Sequence, residues 1–433
     1  MVKREKVLLA GSFRGRQGHG EARESMDELA LLTRTAGGEV VSRVLQEKRT
    51  IDSATFIGKG KAEEIGILCR DKDVDLIVFD EDLSPAQAGN LEELAGVRVI
   101  DRSQLILDIF ALGARTNVAK AQVELAQLEY TLPRLTRMWE HLSRTGSGIG
   151  TRGPGETQLE VDRRRIRRRI FTLKKTLKKV EQDRVVRTAG SKDFAKASLV
   201  GYTNTGKSTL FNHLTRANVS TGDRLFETLD TTTRILRLPS KETMLLSDTV
   251  GFIKKLPHHL VASFHATLEC VIEADLIIHV ADVSHHNHES QIATVRSVLD
   301  EIGAGGKPEV LVFNKVDLVG DETELKTARR THDDAILVSA LHGWGTEALR
   351  ERLLGFVVRE KAEVFVNLPG EDAGTLSYIH RYGRVLGSES LDGNLRLHVR
   401  IDERYLKPLE AYIESARQPA ARPDRGGAPE VEP

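Results

Sequence analysis

Eight consecutive residues, Gly201-Tyr202-Thr203-Asn204-Thr205-Gly206-Lys207-Ser208, have the types and spacing that hold a phosphate chain. Glycines free backbone N–H groups to turn inward as an anion nest, and a helix opening here adds positive potential. Lys207 is placed to reach the β- and γ-phosphates and the Ser208 hydroxyl to bind Mg2+; Thr209 completes the run. The motif follows the apolar ASLV and opens the helix-like STLFNHL, which is the context it requires.

Three further elements come in the order a nucleotide switch needs. Asp248-Thr249-Val250-Gly251 ends an apolar run; Asp248 suits a water-mediated contact to Mg2+, and the Gly251 N–H suits the γ-phosphate. Asn314-Lys315-Val316-Asp317 selects the base. The Asp317 carboxylate can accept from N1–H and the 2-amino group of guanine, a donor pair that adenine lacks. The Lys315 stem can lie along the base. Ser339-Ala340-Leu341 fits the loop whose backbone meets the guanine oxygen. GTP and GDP are therefore the expected ligands.

Between these motifs runs a switch string, Phe226-Glu227-Thr228-Leu229-Asp230, followed by Thr231-Thr232-Thr233. A threonine here must complete the Mg2+ shell when GTP is bound and let go after hydrolysis. Thr228 is the expected ligand, with Thr232 next. The expected catalytic groups are Lys207, Thr228 and Gly251, and the expected metal ligands are Ser208 and Thr228. Phe252 follows the glycine at a position where many small GTPases place a water-orienting glutamine. Phenylalanine cannot orient water, so either a partner completes the site or Asn204 recruits K+ beside the phosphates.

Alternating apolar and helix-like segments supply the scaffold. Residues 1–102 read as an α/β domain with a parallel sheet, and residues 103–190 as a long helical hairpin around the glycine-rich loop 143–157. Residues 196–360 read as a doubly wound domain carrying the four motifs. A small α+β domain follows at 361–416, then a disordered Pro/Gly/Ala-rich tail at 417–433. The fold class is thus multidomain α/β. Gly58-Lys59-Gly60-Lys61 reads as a strand-to-helix turn, His285, His286 and His288 as a polar loop, and Trp139 and Trp344 as packing residues.

The 63 basic and 63 acidic residues cancel, but Asp162–Arg187 is strongly basic. Two cysteines, Cys69 and Cys270, offer neither a disulfide framework nor a zinc spacing. No stretch has the length of a membrane span. A cytoplasmic monomer is expected, with peripheral membrane association left open.

Three long strings point to a family. FIGKGK (56–61), QVELAQLEYTLPRL (122–135) and GIGTRGPGETQLEVDRRRI (148–166), with the FETLD and DTVGFI strings, resemble the HflX family of GTPases. The resemblance runs from about residue 6 to about 360. Two departures stand out: Thr231, where family members commonly carry proline, and VAKAQVELA (118–126), where they commonly read EGKLQVELA. The resemblance implies a partner, the large ribosomal subunit and its rRNA, and a role in splitting or rescuing stalled ribosomes under stress. It also implies ATP hydrolysis at the N-terminal region of some members. The basic stripe Arg163, Arg164, Arg165, Arg167, Arg168, Arg169, Lys174, Lys175, Lys178 and Lys179 suits rRNA, or else acids on a partner helix. The competing functions are a switch acting on a protein effector and ATP-dependent RNA remodelling by the N-terminal half.

Overall fold

The computed structural model describes residues 4–48, 50–135, 154–188, 194–217, 225–226, 231–255, 265–320, 322–359, 361–369, 372–391, 394–402 and 405–414. Two compact units divide the chain. The first holds the described parts of residues 1–190, 196–235 and 245–344, and the second those of 191–195, 236–244 and 345–433.

In the first unit, β1 (Lys6–Phe13), α1 (Gly15–Thr35), β2 (Glu39–Glu47), α2 (Lys59–Lys72), β3 (Leu76–Phe79), α3 (Pro85–Ala95) and β4 (Arg98–Asp101) alternate. The strands pair in parallel in the order β2-β1-β3-β4. Leu8, Ala10, Ile77 and Phe79 face one core cluster, and Val7, Leu9, Leu76 and Val78 the other, which is why these strands are apolar throughout. Ser84 and Gln87 close a capping box at the start of α3.

The expected helical stretch after residue 102 is broken. Asp101 caps α4 (Arg102–Gly113), and Thr116 caps a separate α5 (Asn117–Thr131). The next described helix, α6, runs Pro154–Thr188. It starts inside the expected loop because Pro154 needs no amide bond in a first turn; the loop's remainder, 143–153, lies outside the described residues. Glu124 pairs with Arg169 at 2.6 Å and Glu129 with Lys174 at 2.8 Å. The pairs step in one sense, so α5 and α6 run in the same direction where they touch, rather than turning directly back on each other. Residues 136–153 between them are not described.

A six-stranded sheet carries the motifs, in the order β10-β9-β8-β5-β7-β6. Its strands are β5 (Ala195–Val200), β6 (Thr232–Arg237), β7 (Thr243–Asp248), β8 (Leu276–Asp282), β9 (Glu309–Asn314) and β10 (Ile336–Leu337). Between them lie α7 (Lys207–Thr215), α8 (His265–Ile272), α9 (His288–Glu301) and α10 (Glu322–Thr331). β6 was not legible in the sequence, because it is short and mostly exposed.

In the second unit, α11 (Thr346–Arg359) precedes β11 (Lys361–Pro369), α12 (Ala373–Tyr382), β12 (Gly383–Leu391) and β13 (Asn394–Asp402). The three strands form an antiparallel sheet, ordered β11-β13-β12. The expected last helix is a 3-10 turn, Lys407–Tyr412. Residues 417–433 lie outside the described residues. No described helix is long and apolar enough to cross a membrane.

Candidate nucleotide site

β5 ends at Val200 and the chain turns sharply at Gly201, where φ is +153°. A side chain there would put its Cβ 2.1 Å from the Val280 carbonyl oxygen. Gly206 has φ +86°, and its Cβ would fall 2.3 Å from Asn314 Nδ2. Both glycines are thus required by contact as well as by backbone shape. Asn204, between them, also sits in the left-handed region, at φ +59°. Thr205 Oγ1 donates to the Tyr202 carbonyl at 3.0 Å, holding the loop's curvature.

Lys207 opens α7 and is buried. Its ammonium donates to the Gly201 and Tyr202 carbonyls, at 3.1 and 2.7 Å. Burial lowers its pKa to about 8, against the pull of Asp248. Ser208 Oγ donates to Asp248 Oδ2 at 2.6 Å. The other oxygen, Oδ1, is buried with no hydrogen-bond partner, and burial raises the carboxyl's pKa. An all-oxygen set with an orphaned carboxylate oxygen fits a hard divalent cation such as Mg2+. Thr249 Oγ1 donates to the Leu199 carbonyl at 2.6 Å, tying the end of β7 to β5.

Beyond Val250 and Gly251 the chain lies along the phosphate loop. Phe252 N–H donates to the Gly201 carbonyl at 3.0 Å, and Thr203 N–H to the Phe252 carbonyl at 2.8 Å. The Phe252 ring is 2% exposed and packs in the core. It takes no place beside the phosphates.

Asn314 joins three motifs. Its Nδ2 donates to the Thr205 carbonyl at 2.8 Å, and its Oδ1 accepts from Ala340 N–H at 2.9 Å. Lys315 has φ +64° and pairs with Asp282 at 2.7 Å. Val316 and Asp317 lie on a 3-10 turn, both partly buried. Ser339 is fully buried and accepts from Gly343 N–H, while Leu341 is 72% exposed. A cavity of about 240 Å³ runs beside Tyr202–Thr205, bounded by Arg23 and Glu28 of α1 and by Asp282 and His285.

Several expected residues sit elsewhere. Phe226 packs edge-on against Phe110 of α4, with centroids 4.7 Å apart, so its ring belongs to the core shared with the N-terminal domain. Thr233 is bonded to Ser247 at 2.8 Å, and Thr232 and Thr233 both lie in β6. Glu227, Thr228, Leu229 and Asp230 lie outside the described residues, as does Trp139. Trp344 is 57% exposed and stacks on His342. It was expected to pack, but the turn it closes, with its carbonyl accepting from Ser339 N–H, leaves the ring outside. Gly58 caps α2 in an extended conformation, as a turn should. Among the described residues no group of three or more His, Cys, Asp or Glu side chains is placed to hold a metal.

Spacing alone could not reveal one set of residues. Tyr202 OH donates to Glu28, and Lys255 pairs with Asp80, across 174 and 175 residues of sequence.

Residues 23–111 match the family described as GTP-binding GTPase N-terminal, and residues 113–190 the GTP-binding GTPase middle region. Residues 196–315 match the 50S ribosome-binding GTPase family. GTPase HflX of Alkalihalophilus pseudofirmus is 46% identical over 351 residues, which cover 81% of this chain and 82% of that one. GTPase HflX of Escherichia coli is 41% identical over 387 residues, covering 87% and 90%. A solved GTP-binding protein of the archaeon Sulfolobus solfataricus, in complex with GDP, aligns with 81% of this chain and 98% of its own. Its identity is 26% and its TM-score 0.43.

Proposed function

Because the chain belongs to the HflX family of GTPases and is a GTP-hydrolysing enzyme, we propose that it binds the large ribosomal subunit in a nucleotide-controlled way. In this reading Lys207 and Gly251 meet the γ-phosphate, Ser208 and Thr228 hold Mg2+, and Asp317 reads guanine. GTP keeps the switch segments ordered, and hydrolysis releases the subunit. The coupled event is the splitting, rescue or dormancy of ribosomes under stress.

The observation that carries the reading is the outer face of α6. Leu173 of this helix is 4% exposed, whereas Arg164, Arg168, Lys175 and Lys179 are exposed on the opposite side, at helical spacing. Phe171 stands among them, 71% exposed. Cations around an exposed aromatic ring suit phosphate contact together with base stacking. Arg169 and Lys174 are taken by acids of α5 and belong to the helix pair instead.

Phe252 supports slow hydrolysis by the chain alone, with the ribosome or a K+ ion at Asn204 completing the site. Co-sedimentation with purified large subunits tests the central reading. Binding should be strong with a non-hydrolysable GTP analogue, weaker with GDP, and should fall steeply with salt. Absence of binding in both states would leave a switch acting on a protein effector.

A further inference from the structure

The bonds between the N-terminal domain and the phosphate loop close into a ring. Lys254 N–H donates to Tyr202 OH at 2.6 Å, and Tyr202 OH donates to Glu28 of α1. The other oxygen of Glu28 accepts from Arg102, whose guanidinium also bonds Asp80 at 2.7 Å. Asp80 accepts from Lys255, the chain neighbour of Lys254. Ser25 donates to Asp80 at 2.6 Å, and Lys255 lies 3.9 Å from Glu81.

The ring is built rather than incidental. The side chains of Arg102 and Asp80 are 2% and 3% exposed. Burial brings Arg102 down to about 10, so it stays charged at neutral pH. Lys255 holds a left-handed backbone, φ +57°, which a lysine adopts only when its surroundings compel it. Two cations meet the three carboxylates of Glu28, Asp80 and Glu81, so each charge has an opposite neighbour.

What the ring encloses gives it meaning. Tyr202 belongs to the phosphate loop. Lys254 and Lys255 follow Gly251 in the segment that is zipped to that loop through Phe252. A Cβ built on Gly251 would lie 3.0 Å from Lys207 Nζ and 2.8 Å from Thr203 Cα, so Gly251, three residues before the first member of the ring in its segment, Lys254, stands close against Lys207. These are the two groups that sense a γ-phosphate. The motif expected to read guanine, Asn314–Asp317, lies outside the ring.

We propose that Lys255 and Tyr202, anchored by Asp80, Arg102 and Glu28, are positioning residues that fix Gly251 for the γ-phosphate and carry the presence of that phosphate into α1 and β3. The inference goes beyond ribosome binding and rests only on GTP hydrolysis. Linkage makes it reciprocal: a γ-phosphate that depends on the ring must in turn alter the ring's stability.

The test uses the full chain without ribosomes. Lys255→Ala removes a half-exposed ammonium, and Lys255→Arg keeps the charge. We expect Lys255→Ala to lower kcat/KM for GTP about tenfold, with GDP affinity changed by less than twofold, and Lys255→Arg to restore most of the loss. Amide exchange of residues 25–31 and 80–83 is the second readout. In the wild type it should differ between a non-hydrolysable GTP analogue and GDP, and in Lys255→Ala the difference should vanish. Equal loss of GTP and GDP binding would make the ring a merely structural prop. An unchanged kcat/KM, or an exchange difference that survives the substitution, would also overturn the proposal.

Discussion

The first unit contains two largely parallel sheets, and each gathers its polar residues beyond the carboxyl ends of its strands, as parallel α/β sheets do. The two ends differ in chemistry, although both carry carboxylates. Beyond β5, β7 and β9 lie glycines, backbone N–H groups and the buried ammonium of Lys207. Beyond β3 and β4 lie Asp80, Glu81, Asp82 and Asp101, closed off by Arg102, Arg134 and Lys255. Topology offers a crevice in both cases. A phosphate site arises only where the chain leaves no room for side chains and supplies positive potential.

Exchanging glycine roles would break that comparison most severely. Gly201→Ala forces a Cβ against the Val280 oxygen in a backbone that L-residues rarely adopt. It should lower GTP and GDP affinity by a hundredfold or more, a loss of about 3 kcal/mol. Gly58→Ala is the counterpart in the N-terminal domain. There φ is −61°, and the added methyl would sit 3.5 Å from Gln46 Nε2. Stability should change by no more than about 0.5 kcal/mol and nucleotide affinity not at all. Fluorescent-nucleotide titration and urea unfolding read the pair; equal effects at the two glycines would end the distinction.

The acidic end should answer to the opposite substitution. Asp101 is 1% exposed and accepts from Leu83 and Gln104 N–H, from Tyr130 OH at 2.8 Å and from Arg134 at 3.0 Å. Asp101→Ala leaves the Tyr130 hydroxyl and one Arg134 bond without their acceptor, at a cost of about 3 kcal/mol to the N-terminal domain. Urea unfolding should show the shift, while KM for GTP stays within twofold. A large change in KM would mean that this carboxylate also serves the nucleotide.

The same contrast explains what was legible in the sequence. The phosphate loop, DTVG, NKVD and the Ser339 loop could be picked out because each is a local string, and the structure joins three of them through Asn314. The apolar strands could be read because burial on both faces forces continuous apolar runs. The acidic end could not, since Asp80, Arg102 and Lys255 acquire meaning only through partners tens to hundreds of residues away. The place of the Phe226 ring was not legible for the same reason: its neighbours suggest a switch string, but Phe110 decides where the ring packs. The start of α6 was not legible because the glycines of 143–157 suggest a loop throughout, although a proline such as Pro154 can begin a helix.

The smallest effect, the response to acid, compares the two domains at the opposite, amino ends of their strands, where Glu309 opens β9 and Asp108 of α4 lies near Arg98, which opens β4. In the G domain, burial alone would raise the Glu309 carboxyl, but hydrogen bonds from His279 and Arg296 outweigh it and hold it down to about 2. In the N-terminal domain, burial raises the Asp108 carboxyl, against the nearby charge of Arg98. The signs follow from linkage. A depressed carboxyl lends stability that is complete above its ordinary value of 4.5 and is lost as pH falls toward 2. A raised carboxyl favours the native state below its ordinary value of 3.8, and that contribution is lost as pH rises through its folded value. Relative to the wild type, Glu309→Gln should therefore weaken β8 and β9 increasingly as pH rises from about 2 to 4.5 and by a constant amount above that, whereas Asp108→Asn should strengthen α4 increasingly as pH rises above 3.8. Amide exchange of β9 and α4 at stepped pH reads both. Slopes of the same sign would show that the two domains do not differ in the way they hold these two carboxyls.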